Sequence, residues 1–328
     1  MRRGLVMLLA ICCHFLGITA LFYFLNRKVK RICTFHNVLP DAGFEINPET
    51  SFSMSESCFR KVVRELKKHY NFSVDVFDPS TVTITFDDGN ANQYEIAAEI
   101  LKSEGNIPAI IFVAGIDRKD GLIVDKLCYW TAYAPIDILI RLNGAPISRR
   151  DFWRRIMRPK FVADADTKGK NTYEWANAIY PFDELYRSKT PEYLHLRMDG
   201  IRQEQLNDLR SRGWIVGWHT QSHFPLSSLS ESEQQNEMTP PTEMKDVVFS
   251  YPYGELLSVN ANAIKNAEKI GFPCAVGNIE FGGDIHGRYF LPRFNLPALR
   301  TWKDRILLHF QLSGLKYFVT TFKLLPRI

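Results

Sequence analysis

Four short polar motifs hold residue types that can act together: His36, Asp87-Asp88-Gly89, His219 with His223, and Pro252-Tyr253-Gly254. Two imidazoles and one carboxylate make a three-ligand set with an open position, the layout of a catalytic rather than a structural zinc site. A second carboxylate one residue away need not be a ligand and can take a proton from an attacking water. Gly89 lets the chain turn sharply after the acidic pair, so both carboxylates can face one side although strand neighbours point oppositely. Singly, each motif has an ordinary explanation. Asp-Asp-Gly is a common turn, a histidine pair at i, i+4 can be a satisfied polar pair, and Tyr-Pro-Tyr-Gly can be another turn. Their coincidence points to a metal centre with a base beside it.

The elements that must position these residues read as alternating strands and helices. Each motif follows a strand pattern: His36 after Arg31–Phe35, the acidic pair after Thr81–Phe86, the histidines after Trp214–Trp218, and the proline turn after Val247–Tyr251. In parallel α/β folds, loops at the carboxyl ends of the strands converge on the functional rim. Further strands are expected at 72–77 and 107–113. Helices are expected near 56–70, 94–101, 203–212 and 260–270, from apolar residues spaced along one face. This rhythm predicts a mostly parallel sheet covered by helices, open or closed as a barrel. The segment 117–202 breaks it, with irregular spacing, seven prominent aromatics from Tyr129 to Trp175, and a basic cluster from Arg149 to Lys160. It reads as an insertion between two strands. Its aromatics suit either a sugar-binding wall or the insert's own small core, and its arginines either anionic groups or a solvated face.

Thr85-Phe86-Asp87-Asp88-Gly89, His219-Thr220-Gln221-Ser222-His223 and Tyr251-Pro252-Tyr253-Gly254 resemble, in the same order, the first three motifs of the NodB-homology polysaccharide deacetylases, carbohydrate esterase family 4. The resemblance covers about 31–294 without the insertion. It implies a distorted (β/α) barrel of about seven strands, one divalent metal ion, usually zinc, and metal-assisted hydrolysis of a sugar N-acetyl group. It also implies Asp88, His219 and His223 as ligands, Asp87 as base, and Pro252-Tyr253 at the oxyanion, through the Tyr253 backbone N–H. Thr34-Phe35-His36-Asn37-Val38 is similar to an early segment of the poly-N-acetylglucosamine deacetylase branch, in which that histidine is the general acid.

Two departures from the family pattern stand out. The arginine often found before the third motif is replaced by Phe249-Ser250, which leaves Arg293 in Leu291-Pro292-Arg293-Phe294 as the candidate to orient Asp87. The late Leu-x-His motif is matched only superficially by Leu307-Leu308-His309, so His36 is preferred as acid. His14, His69, His195 and His286 have no evident constellation and read as structural.

Gly4–Leu25 is an apolar run of 22 residues, about 33 Å as a helix and close to the hydrocarbon thickness of a bilayer. It reads as an uncleaved single-pass anchor, with a signal peptide as the competing reading. Basic residues on both flanks leave orientation open, although their count leans toward a cytoplasmic C-terminal domain. The expected organisation is an anchor at 1–25, a catalytic barrel at 26–301 containing the 117–202 insertion, and an amphipathic tail at 302–328. That tail can lie on an anionic membrane or, as expected first, pack on the barrel. A mild net charge of +5 without a long basic run in the body argues against a nucleic-acid partner. Six cysteines without a CxxC pair argue against a disulfide framework or zinc ribbon. The expected function is metal-dependent deacetylation of an N-acetylated polysaccharide or lipid-linked glycan of the cell envelope. The alternatives are an amide hydrolase for another acyl group, such as formyl, and a catalytically silent carbohydrate-binding protein.

Overall fold

A computed structural model describes residues 3–42, 53–244, 247–280 and 287–325. Ten strands are described: β1 (Arg31–Phe35), β2 (Asn37–Leu39), β3 (Ser53–Ser55), β4 (Asn71–Phe72), β5 (Thr81–Phe86), β6 (Ile110–Val113), β7 (Ile215–Trp218), β8 (Phe249–Ser250), β9 (Ala275–Val276) and β10 (Phe294–Asn295). The main sheet runs β10-β1-β5-β6-β7-β8-β9, with β4 beside β5, and all of its pairings are parallel. It curls as a half-barrel, and a parallel bridge between Val276 and Leu291 joins the β9 end to the chain leading into β10. The runs RICTF and IIFV are buried throughout, as expected of strands covered on both faces.

Register brings the motifs level. Phe35 pairs with Phe86, Val113 with Trp218, and Trp218 with Phe249. The residues after these strands, His36, Asp87, His219 and the turn after Ser250, therefore emerge on one rim. Covering helices form where apolar stripes meet the sheet. The helix Glu56–Lys67, for example, is capped by the Ser55 side chain and buries Phe59, Val62, Val63 and Leu66.

Several expectations are corrected. The strand expected at 72–77 stops at Phe72, because Asp75 and Asp78 accept bonds from the N–H groups of Phe77 and Ser80 and turn the chain. The 247–251 strand is reduced to Phe249–Ser250. The helix at 94–101 begins with a wider turn over Gln93–Ala98. The irregular segment between β6 and β7 is built of short helices from Ile123 to Met198.

The apolar N-terminal run is not one helix. It forms α1 (Arg3–Phe15) and α2 (Ile18–Leu25), bent by 83°. Gly17 adopts φ +75°, a left-handed conformation that ends the first helix. Among the described residues no single helix is long and apolar enough to cross a membrane. The tail, helical over Trp302–Leu312 and Leu315–Thr321, packs against α1 and α2 through Ala10, Cys13, Phe22, Ile306, Phe310 and Leu315. His286 and the last three residues lie outside the described residues.

Candidate active site and metal centre

Asp87 and Asp88 leave the end of β5 in different directions. Asp87 keeps the sheet register, its N–H bonded to the Phe35 carbonyl at 3.0 Å. Asp88 has φ +80°, in the left-handed region, which reorients its side chain. Gly89 follows at φ +70°, and a Cβ there would lie 2.9 Å from Val113 Cγ1, so the position requires glycine. Arg118 clamps this turn, donating to the Asp88 carbonyl at 2.9 Å and to Asn90 Oδ1 at 3.0 Å.

His219 follows β7, and its loop is pinned by Glu237, whose carboxylate accepts from the Ser222 N–H at 2.8 Å and from Ser222 Oγ at 2.9 Å. His223 N–H donates to Thr220 Oγ1 at 3.1 Å. Thr220 and His223 also sit at positive φ, as does Tyr253 in the proline turn. Four of the eight non-glycine positive-φ residues described are thus at this rim. Such conformations cost energy and cluster where surrounding structure holds a site in place.

The ligand geometry is specific. His223 Nε2 lies 3.2 Å and His219 Nε2 3.6 Å from Asp88 Oδ1, and all three side chains are buried. His219 Nδ1 is 2.6 Å from the Ser250 carbonyl oxygen. A carbonyl only accepts, so Nδ1 carries the proton and Nε2 presents its lone pair toward Asp88. Burial pushes His219 down to about 4, despite the charge of Asp87, which keeps it a neutral ligand. Burial by itself would raise the Asp88 carboxyl, but the adjoining His223 imidazole outweighs it and holds the group well below the usual range. Asp88 Oδ1 is buried without a hydrogen-bond donor. A carboxylate oxygen left unpaired between two imidazole nitrogens is a donor set that a divalent cation satisfies. These residues fit a metal.

Asp87 is gripped from the other side. Arg293 Nη1 donates to Oδ1 at 2.7 Å and Nη2 to Oδ2 at 2.6 Å, and both side chains are almost fully buried. Burial would raise the Asp87 carboxyl, but the Arg293 charge outweighs it and holds the group below its usual range. Arg293 also donates to the Gly277 carbonyl at 2.6 Å and to Ser250 Oγ at 3.1 Å. His36 is partly exposed, its Nε2 3.8 Å from Asp87 Oδ2, and Gln93 donates to its carbonyl at 3.0 Å. Tyr253 packs its ring 5.0 Å from that of His223. Gly254 follows at φ +57°, where a Cβ would come 2.3 Å from the Asn278 N atom.

His36, Asp87, Asp88, His223 and Tyr253 line one cavity. Its remaining wall comes largely from the insertion, through Val124, Asp125, Cys128, Trp153, Arg158 and Arg197. Sequence reasoning missed Asp125, Arg197 and the Arg118 clamp, whose only signal was to be charged residues in a segment of irregular spacing. Of the aromatics offered there as a sugar wall, Trp153 lines the cavity, whereas Tyr129, Trp130 and Phe152 are fully buried in the core. In the basic cluster, Arg158 reaches Glu255 at 3.0 Å and Arg149 is tied to the Thr131 and Ala134 carbonyls.

His309 is not part of this rim. It lies buried 3.1 Å from Glu65 and 2.9 Å from the Tyr23 hydroxyl, in the helical tail that packs at the opposite, amino end of β1. His69 joins it there, 3.9 Å from Glu65, so His69 does belong to a cluster, contrary to expectation. Glu65 is already met by Lys68 at 2.8 Å and Arg305 at 3.5 Å, two cations that oppose a metal ion at that place. His195 bridges Asp199 and Glu95, both at 2.8 Å.

The same fold is found in a solved deacetylase. Over 85% of this chain and 97% of the other, it superposes on a Streptococcus pyogenes deacetylase, PplD, solved with acetate, at 13% identity and a TM-score of 0.51. A polysaccharide deacetylase from Bacillus cereus matches over 85% of this chain and 68% of its own at 12% identity, with a TM-score of 0.48. IcaB from Ammonifex degensii matches over 86% and 97% at 15% identity, with a TM-score of 0.47. No family model matches the sequence, and no curated protein matches it.

Proposed function

We propose that the chain is a metal-dependent hydrolase that removes N-acetyl groups from an N-acetylated glycan of the cell envelope. The observation that carries this reading is the placement of Asp88, His219 and His223 beside the Arg293-held Asp87 and His36 at the carboxyl ends of the strands, with His36, Asp87, Asp88 and His223 lining one cavity. The solved deacetylase of the same fold supports it, and a two-histidine, one-carboxylate set accords with zinc. The envelope location rests on the apolar N-terminal helices.

Asp88, His219 and His223 would hold a divalent cation, which when bound would supply a Lewis acid for the amide carbonyl and acidify water. Asp87, kept ionised by Arg293, takes the proton from the attacking water. Two fixed hydrogen bonds prevent its carboxylate from rotating away from that task. The Tyr253 backbone N–H, in the strained proline turn, serves the developing oxyanion. His36 returns a proton to the departing nitrogen, because an amine anion is too poor a leaving group. The insertion wall, with Trp153 and Arg158, meets the sugar around the reacting group.

The test is acetate release from an N-acetylated oligosaccharide by purified protein loaded with zinc, with His223→Ala and Asp87→Asn as controls. Acetate release that both substitutions abolish supports the proposal. Formate release from an N-formylated substrate in preference to acetate would move the activity to another acyl group. Glycan binding without either product would make the chain a carbohydrate-binding protein.

A further inference from the structure

The N-terminal helices present apolar residues on two faces, and the tail helices cover only one. Ala10, Cys13 and Phe22 face the tail, while Leu5, Leu8, Phe15, Leu16, Leu21 and Phe24 stand 53–74% exposed. The tail adds exposed Trp302, Phe322 and Leu324, and the Phe318 ring lies 4.9 Å from Phe22 and 6.3 Å from Phe322. An apolar surface of this extent marks an interaction site rather than scattered exposure.

Neither helix by itself is long enough to cross a bilayer. The 13 residues of α1 and 8 of α2 give about 20 and 12 Å of helix, against roughly 30 Å of hydrocarbon. Their inner faces are packed on the tail, so the 83° bend is held by tertiary contacts. Helices of this kind lie in the interface, with one face among the acyl chains.

A basic groove adjoins them. It is lined by Lys61, Arg64, Lys68, Arg300 and Arg305, with Glu65 the single acid, and it includes Trp302 at the start of the tail helix on which α1 packs. Arg27 and Lys28 follow α2 on the surface.

We propose that the protein docks on an anionic membrane leaflet, with the outward faces of α1 and α2 and Phe322 in the lipid and the groove of basic residues against the phosphates. The charge chooses the occupant. A second copy would bring a groove of the same sign, whereas an anionic leaflet complements it. The docking also sets the orientation of the enzyme. Arg31, at the start of β1, donates to the Leu312 carbonyl of the tail at 2.9 Å, and His36 follows the other end of that strand, about 16 Å away at the usual rise per residue. The catalytic rim therefore opens away from the bilayer.

The experiment is flotation of the purified full chain with vesicles of phosphatidylcholine, alone or mixed with phosphatidylglycerol. Binding is expected to the mixed vesicles, weakened by salt. Phe15→Glu/Leu16→Glu and, as a second pair on the tail, Phe322→Glu/Leu324→Glu should each reduce it about tenfold or more, with circular dichroism and melting unchanged. Lys61→Glu/Arg64→Glu should reduce it by about tenfold or more, at roughly fivefold per basic residue. Equal binding to both vesicle types, or affinity untouched by the charge reversals, would overturn the proposal. So would a concentration-dependent dimer in sedimentation that Phe15→Glu/Leu16→Glu abolishes, since the apolar face would then belong to a second copy.

Discussion

Arg293 holds Asp87 by both oxygens, at 2.7 and 2.6 Å, across 206 residues of sequence. With both groups buried, the pair is a committed arrangement: removing either member strands the other's charge. Arg293→Met should therefore destabilise the protein by about 3–5 kcal/mol, the usual cost of breaking a buried pair from one side, as read from urea unfolding. The pH dependence has a definite sign. Asp87 is depressed in the folded protein, so its contribution to stability is full above the unfolded carboxyl pKa and is lost as pH falls through the folded value. In Arg293→Met, burial loses its largest opponent and the pKa rises. The acid limb of kcat/KM should move to higher pH, and metal-free protein should no longer gain this stability as pH rises. An unmoved acid limb in a folded variant would take Asp87 out of the base role.

The two carboxylates should separate in function although they are neighbours. Asp87→Asn keeps a similar shape but cannot accept the water's proton, so it should retain metal and lose turnover by about 10²–10⁴-fold. Asp88→Asn, which alters the oxygen lying between the two imidazoles, should lose metal. Equal metal loss in both variants would show that the division of roles is wrong.

How much of this was legible in the sequence follows from what strand patterns encode. Apolar runs before His36, Asp87 and His219 mark where buried strands end, and parallel pairing then brings those ends level, so the rim could be read locally. The reach of Arg293 to Asp87 could be suggested only by default, because no local pattern encodes a contact between the first and last parts of a curled sheet. Asp125 and Arg197 were invisible as wall residues for the same reason: helix periodicity says which face is buried, not what it is buried against. The positive φ of Asp88, Thr220, His223 and Tyr253 leaves no mark, since these residue types give none of the warning that glycine does. The break in the N-terminal run at Gly17 was hidden, because hydropathy counts apolar residues without seeing that Ala10, Cys13 and Phe22 have a protein partner in the tail.

Metal stoichiometry distinguishes the two histidine clusters. Asp88, His219 and His223 offer an unpaired carboxylate oxygen and one imidazole fixed by Ser250. Glu65, beside His69 and His309, is instead neutralised by Lys68 and Arg305. Elemental analysis of zinc-reconstituted protein should give about one equivalent per chain. His223→Ala should lower it toward zero without unfolding the domain, and His69→Ala should leave it unchanged. A second equivalent lost in His69→Ala would mean that the cluster at the amino end of the sheet also holds metal.

His36 and His309 make opposite predictions from their surroundings. His36 lies on the rim, partly open to the cavity and 3.8 Å from the base, where it can reach a departing nitrogen. An imidazole suits that step because it can both hold and release a proton. His309 is buried at the amino end of β1, bonded to Tyr23 and Glu65, and burial lowers its pKa despite the Glu65 contact. It joins the tail to the helix that carries Glu65. His36→Ala should thus lower kcat by about 10²-fold or more with metal content and melting temperature retained. His309→Ala should leave kcat nearly unchanged and lower stability by about 1–3 kcal/mol, the cost of leaving buried polar partners unsatisfied. Both variants should be assayed on one N-acetylated oligosaccharide and unfolded in urea. If His309→Ala loses turnover while His36→Ala keeps it, the proton on the leaving nitrogen does not come from His36.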